Sequence, residues 1–445
     1  MLRTTGRTHR QVVDQVIAET GLEASKQQAR QRRRAVGLAL PLIAFVLASF
    51  VAPLGTLLVR SAYDPLVADA LPETLTLLRA WDGTSALEEP VYATAARELL
   101  QAREERTLGQ IATRVNRIKS GLRSVVTRSV RKLRNASGDS WRETMIGIDD
   151  AWGEPEVWLA IRSAGERFTL RHYINALDLM RQPDGSIARQ PEERRIYLPL
   201  LWRTLAISLG ISALCLVIGY PIAHLIAHAP PRRANLLLLL VLVPFWTSLL
   251  VRTTAWIVLL QTQGVINSLL VAIGLVADDG RIAMIYNMTG TFVAMTHVLL
   301  PFMVLPLYSV MRSIPPSHVR AAASLGATPF QAFWRVYWPQ TLPGVGAGSL
   351  MVFILAIGYY ITPALVGGSK GQLISNMIAY HMQTSLNWGL AAALAAILLV
   401  GIIALYVLYA RVVGSARRRL GGCWRVGSIS RSARRRLSSW SRRSW

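Results

Sequence analysis

The chain has 445 residues, 52% of them hydrophobic, with 49 Lys and Arg against 25 Asp and Glu and a formal net charge of +24. A positive mean hydropathy over that length argues against a soluble domain. Only two cysteines occur, Cys215 and Cys423, in unlike stretches of sequence, so no disulfide framework follows.

Residues 1–35 form a basic, glutamine-rich arm holding 8 Lys and Arg against 3 acids. Residues 36–59, VGLALPLIAFVLASFVAPLGTLLV, are long and apolar enough to cross a bilayer, which takes about 20 residues. The run exceeds a signal-peptide core and lacks a clear cleavage site, so it is expected to stay as an anchor. Between 60 and 197 the charges balance, 21 basic to 20 acidic. Leu100, Ile111, Val115, Ile118 and Leu122 recur there at helical spacing, the mark of a small helical insertion outside the membrane. Its basic positions alternate with acids, which fits a solvated helix face and not a nucleic-acid surface.

Five further apolar runs follow, at Leu205–Ala227, Ala234–Leu260, Thr291–Met311, Gly346–Val366 and Leu390–Val413. The predicted fold is therefore an all-α integral membrane protein of about six transmembrane helices, with a helical extracytoplasmic insertion between the first and second. Six crossings put both termini on one side. The Pro230–Arg233 turn has 2 basic residues and no acid, Arg312–Pro343 has 3 and none, and the stretch from Arg411 onward has 11 and none. Short cytoplasmic segments favour Lys and Arg, so both termini and residues 312–343 are expected in the cytoplasm. The tail, 414–445, has the composition to meet anionic lipid headgroups.

After Glu193 the only carboxylates are Asp278 and Asp279, both in a predicted outer loop. The spans thus lack acids for a proton relay or for cation coordination. Sodium held by backbone carbonyls stays open, which keeps a self-sufficient secondary carrier or channel as the alternative function. His224 and His228 stand at i, i+4 but have no third ligand nearby, and His297 inside a span suits a hydrogen bond between helices. No nucleophile, base and orienting acid assemble, so no catalytic or metal residue is predicted.

One stretch is neither span nor ordinary loop: HVRAAASLGATPFQAFWRVYWPQTLPGV, from His318 to Val345. Pro315 and Pro316 suit the first turn of a helix, Ala321, Ala322 and Ala323 its interior, and Gly326 a left-handed stop. Thr328 then caps a second helix with Pro329 at its first position and Gln331 completing a capping box. Pro339 is expected to end it. Phe330, Phe333, Trp334, Tyr337 and Trp338 recur at the spacing of one helix face.

The spacing R-A-A-x-x-x-G at Arg320–Gly326, followed by V-x-W-P at Val336–Pro339, resembles the EAA loop of inner-membrane permeases from binding-protein-dependent ABC importers. VPFWTSLLVRTTAWIVLLQTQGVINSLL, LLPFMVLPLYSVM and GSLMVFILAIGYYITPALVGG are similar to the spermidine/putrescine branch of that family, as is FTLRHYINALD at Phe168–Asp178. About half the chain is covered. The chain departs from the pattern at Arg320, where the family has an acid able to pair with a basic group on the ATPase. Tyr359 and Ala364 likewise stand where polyamine permeases often carry acids.

The resemblance implies a permease core over residues 198–413, with 312–343 as its coupling loop, in a bacterial inner (plasma) membrane. It implies as partners ABC ATPase subunits, a second related permease, an extracytoplasmic solute-binding protein and membrane lipid, and no nucleic acid. The implied role is an ATP-driven import path for a small organic solute, a polyamine or a related amino compound. This chain has no G-x-x-x-x-G-K-[ST] loop to cradle a nucleotide, so it binds no cofactor itself and ATP is used by the partner. Arg320, Ala321, Ala322, Gly326, Phe330, Trp334 and Pro339 become the candidate ATPase-coupling residues, and Trp246, Arg252, Tyr359 and Tyr360 the candidate substrate path.

Overall fold

A computed structural model describes residues 37–134, 140–181 and 186–423; the predicted arm at 1–35 and the tail beyond 423 lie outside the described residues. Among the described residues six helices are long and apolar enough to cross a membrane. The first, α1 (Gly37–Ala62), leads into the insertion. There α2 (Leu66–Ala70), α3 (Pro72–Ala80), α4 (Glu89–Glu104), α5 (Leu108–Asn116), α6 (Leu122–Leu133), α7 (Trp141–Ile148) and α8 (Pro155–Ala164) enclose a core of their own. Ile111, Val115 and Leu122 are buried in it, with Leu100 and Ile118 packed against it.

Trp152 and Trp158 fill the centre of the insertion. Their polar atoms are satisfied: Trp152 Nε1 donates to Ser129 Oγ at 2.8 Å and Trp158 Nε1 to the Trp152 carbonyl at 2.8 Å. Buried indoles normally require such partners. The insertion leaves and rejoins the membrane part at one place. Thr169 N donates to the Ala62 carbonyl at 2.8 Å and Asp64 N to the Arg167 carbonyl at 2.9 Å, so entry and exit strands are stitched together. Beyond them lie α9 (Arg171–Ala176) and a short hairpin, β1 (Leu179–Arg181) with β2 (Ile187–Arg189).

Asp178, in the left-handed region at φ 55°, sits under the start of α10 (Tyr197–His228). Its carboxylate accepts from Ile196 N, Tyr197 N and Leu198 N at 3.1, 3.1 and 2.7 Å, satisfying donors that a helix start leaves open. Then follow α11 (Pro231–Trp246), α12 (Leu249–Leu260), α13 (Val265–Ala272), α14 (Met288–Ser313), α15 (Pro316–Ser324) and α16 (Pro329–Ala332). The chain closes with α17 (Trp338–Gly358), α18 (Ile361–Val366), α19 (Ile374–Gln383) and α20 (Trp388–Cys423).

Helices α10, α14 and α17 form the central membrane triad. Ile207, Ile211, Cys215, Met295, Met303, Val304, Val352 and Ala356 are buried between them. Glycine lets the backbones approach: a Cβ at Gly348 would stand 2.8 Å from Met303 Sδ and 3.1 Å from its carbonyl oxygen. Small residues at helix crossings are the usual route to tight packing in lipid.

The structure corrects three predicted elements. The run Ala234–Leu260 is no single span, because Thr247 and Ser248 are extended and divide α11 from α12; the membrane-length segment there is Leu249–Ala272. The run Gly346–Val366 is likewise cut at Tyr359, and its helix continues backward through the loop to give a segment from Pro329 to Gly358. Pro339 therefore does not end the second helix of the loop. A π-turn at Phe333–Tyr337, closed by Trp338 N to the Phe333 carbonyl, widens the helix just before Pro339, and the proline occupies an opening position of α17. Such a turn already leaves a carbonyl without its usual donor, so the missing proline N–H costs little there.

Candidate coupling elbow and translocation path

The first helix of the elbow, α15, starts with Pro316 in its first turn and ends in a Schellman motif. Ala327 N donates to the Ala322 carbonyl at 3.0 Å and Gly326 N to the Ala323 carbonyl at 2.9 Å, while Gly326 adopts φ +86°. Two residues later the capping box forms: Gln331 N donates to Thr328 Oγ1 and Thr328 N to Gln331 Oε1, each at 3.3 Å. Both motifs are set by residues within six positions of each other, so the bend between α15 and α16 is fixed by local chemistry.

The five aromatics do not share one surface. The π-turn rotates the helix between Phe333 and Tyr337, and the set splits. Tyr337 is buried, with its ring 5.2 Å from that of His224 and 5.7 Å from that of His228. Tyr220 of α10 packs 4.9 Å from Trp338 and 6.3 Å from Phe333, and its hydroxyl lies 3.2 Å from Thr341 Oγ1. Phe330 and Trp334 stay outside, 73% and 47% exposed, beside Leu325 at 88%.

Other bonds hold the elbow to the ends of the spans. His318 Nδ1 is 2.8 Å from Gln340 Oε1, joining α15 to α17. Arg312 Nη1 donates to the Ala227 carbonyl at 3.1 Å, joining the end of α14 to that of α10. The elbow is thus braced on its inner side by three membrane helices and, among the described residues, bare on its outer side. Arg320 and Ala321 are exposed on that bare side, whereas Ala322 and Pro339 are half-buried.

The path candidates separate in the same way. Trp246, at the end of α11, is 82% exposed on the isolated chain, and Tyr360 is 38% exposed. Arg252 and Tyr359 stand at the two helix breaks, and α12 packs against α18, which begins just after Tyr360. His297 meets Trp256, whose Nε1 donates to His297 Nδ1 at 3.1 Å, so the interhelical hydrogen bond expected of this histidine forms. Trp256 was not singled out in the sequence; its one signal is its position a helical turn after Arg252. Tyr359 and Tyr360 give their carbonyls to Ser375 Oγ and Asn376 Nδ2 at 2.8 and 2.7 Å, which ties the break to α19. The His224 and His228 rings lie 4.2 Å apart, tilted by 41°, as part of the aromatic brace; among the described residues no group of three or more His, Cys, Asp and Glu side chains is placed to hold a metal.

Residues 219–418 match the family of binding-protein-dependent transport system inner membrane components. The spermidine/putrescine transport system permease protein PotB of Haemophilus influenzae is 36% identical over 198 residues, 44% of this chain and 68% of that protein. PotB of Escherichia coli strain K12 is 34% identical over 226 residues, 51% of this chain and 76% of its own length. Among solved structures, a bacterial alginate ABC transporter in complex with an alginate pentasaccharide-bound periplasmic protein aligns at TM-score 0.39 and 17% identity, covering 49% of this chain and 78% of that one. The chain belongs to the binding-protein-dependent transport system inner membrane components, the permease subunits of ABC importers.

Proposed function

We propose that this permease carries a small organic solute bearing amino groups, a polyamine or a related amino compound, inward across a bacterial inner membrane at the expense of ATP hydrolysed by a separate subunit. The likeness to the two PotB proteins supports the amine class. The chain itself performs no chemistry and binds no cofactor. An ABC ATPase seats on the outer side of the elbow, a second related permease completes the path, and an extracytoplasmic solute-binding protein delivers cargo. Both termini and the elbow face the cytoplasm, and the insertion faces outward.

The observation that carries this reading is the two-sidedness of the elbow. Tyr337 and Phe333 lock it to α10 from within, while Leu325, Phe330 and Trp334 present apolar surface with no cover among the described residues. A partner that presses there moves α10, α14 and α17 together, which is what converts closure of an ATPase into rocking of a membrane core. Loss of the family acid at Arg320 leaves shape and aromatic contact as the main grip.

Gly326→Pro tests it. Proline needs φ near −65°, which the observed +86° forbids. The variant complex is expected to lose ATP-driven uptake and to release its ATPase on purification. Unchanged uptake would remove the elbow from the mechanism. Ion-gradient-driven flux in vesicles holding this chain alone would instead favour a self-sufficient carrier.

A further inference from the structure

The joint between the insertion and the membrane part encloses a pocket that the translocation path does not use. Arg114 and Arg117 enter it from the end of α5, Arg171 and His172 from α9, and Asn387 from the turn before α20. The chain fixes its level. Asp64, also on the wall, stands two residues after α1 ends at Ala62, and Asn387 stands one residue before α20 begins at Trp388. A pocket bounded by the end of the first span and the start of the last lies at the membrane surface, in the layer of the lipid headgroups.

Its charges do not balance. Asp64 is taken by Arg114, Nε to Oδ2 at 2.7 Å, and Glu166 lies 3.7 Å from Arg181. Arg117 and Arg171 pair with no carboxylate among the described residues. Arg117 Nη2 reaches the carbonyls of Ser385 and Leu386 at 3.5 and 3.3 Å, and Arg171 Nη2 reaches the carbonyl and hydroxyl of Ser163 at 2.5 and 3.3 Å. Each guanidinium thus spends one nitrogen of its fork on neutral oxygen, and Nε and Nη1 of both are left for another acceptor. Burial lowers the pKa of both groups, the mark of cations held away from water. His172 closes the wall toward α20, since a Cβ at Gly389 would lie 2.3 Å from its Nε2.

We propose that Arg117 and Arg171, one on each side of the joint pocket that Asn387 also lines, bind a phosphate-type oxyanion at the membrane surface and that this anion pins the insertion to the start of the last span. Its source is a phospholipid headgroup or free phosphate. Several oxygens on one centre can accept from both forks at once, which a single carbonyl cannot do, and guanidinium suits phosphate geometry.

The test uses the complete importer, stripped of phospholipid in detergent and held at constant neutral pH in phosphate-free buffer. Cleavage between Arg60 and Tyr197 by chymotrypsin, a protease indifferent to arginine, reports how firmly the insertion is seated. One arm adds millimolar inorganic phosphate. The other moves the complex into nanodiscs of phosphatidylglycerol, with nanodiscs of digalactosyldiacylglycerol, a lipid without phosphate, as reference. Cleavage is expected to slow about threefold or more in at least one arm, the effect of a ligand at about twice its dissociation constant. Slowing by phosphatidylglycerol alone makes a headgroup the source, and slowing by inorganic phosphate shows that the free anion serves. Arg117→Gln and Arg171→Gln are each expected to remove the response. Asn387→Asp gives a second reading should those variants fail to fold, because aspartate keeps the cap that Asn387 Oδ1 gives Leu390 N and sets a carboxylate at the pocket. It is expected to slow cleavage with neither probe present and to leave no further response. Cleavage unchanged in both arms, or a response of full size in the arginine variants or in Asn387→Asp, would overturn the proposal.

Discussion

At Gly326 nothing lies within 4 Å of where a Cβ would stand, so the position demands glycine for its backbone and not for space. Gly326→Ala is accordingly expected to cost about 1 kcal/mol, from the left-handed conformation alone, and to leave the packing intact. Phe330 and Trp334 pose the opposite case. Being exposed, they contribute little to the fold, and Phe330→Ala or Trp334→Ala should leave the thermal midpoint of the purified chain unmoved. Affinity for the ATPase is expected to fall tenfold or more, as for aromatic anchors at interfaces whose loss costs about 2 kcal/mol. Titrating labelled ATPase against each variant measures it; equal affinities would show that the grip lies elsewhere.

At the scale of helices, the close approach of α14 and α17 depends on Gly348. A side chain there must displace the Met303 backbone as well as its sulfur, so Gly348→Leu is expected to destabilise the triad by about 1–3 kcal/mol. Thermal unfolding in detergent reads this directly, and an unchanged midpoint would mean that the two helices separate without cost.

The bend between α15 and α16 was legible in the sequence because a Schellman glycine and a capping box act over a few residues. The breaks at Thr247–Ser248 and Tyr359–Tyr360 were not, since apolar residues resume on the far side of both and periodicity is blind to a backbone that turns inside the membrane. Pro339 misled for a related reason. Proline normally stops a helix, and only the π-turn before it, a feature of tertiary packing against Tyr220 and His224, lets the helix pass. The cap that Asp178 gives α10 was hidden too, because donor and acceptor lie 18 to 20 residues apart.

At the scale of the whole molecule, the insertion is held to the membrane part by a cluster in which charge and burial compete. Arg114 Nε pairs with Asp64 at 2.7 Å, Arg117 Nη2 reaches the Leu386 carbonyl at 3.3 Å, and Arg171 Nη2 reaches the Ser163 carbonyl at 2.5 Å. His172 lies among them, and burial, followed by the neighbouring Arg171 charge, pushes its imidazole down to about 4. The folded joint holds His172 neutral, whereas the unfolded chain takes up a proton near pH 6.5. Stability is therefore fully present above about 6.5 and is lost as pH falls toward 4, by up to about 3 kcal/mol. Limited proteolysis between Arg60 and Tyr197 across that window should quicken on acidification, and His172→Gln should flatten the trend; a flat profile in the unaltered chain would refute it.

The most direct measurement concerns the bare side of the elbow. In a chain with Cys423 replaced by serine, a cysteine is placed at Leu325 and the whole importer is examined in right-side-out and inverted membrane vesicles. A membrane-impermeant maleimide is expected to label Leu325→Cys only in inverted vesicles, and bound ATPase to shield it and to cross-link there. Labelling from the outer face, or reactivity indifferent to the ATPase, would contradict the coupling of this permease to its engine through Ser317–Pro339.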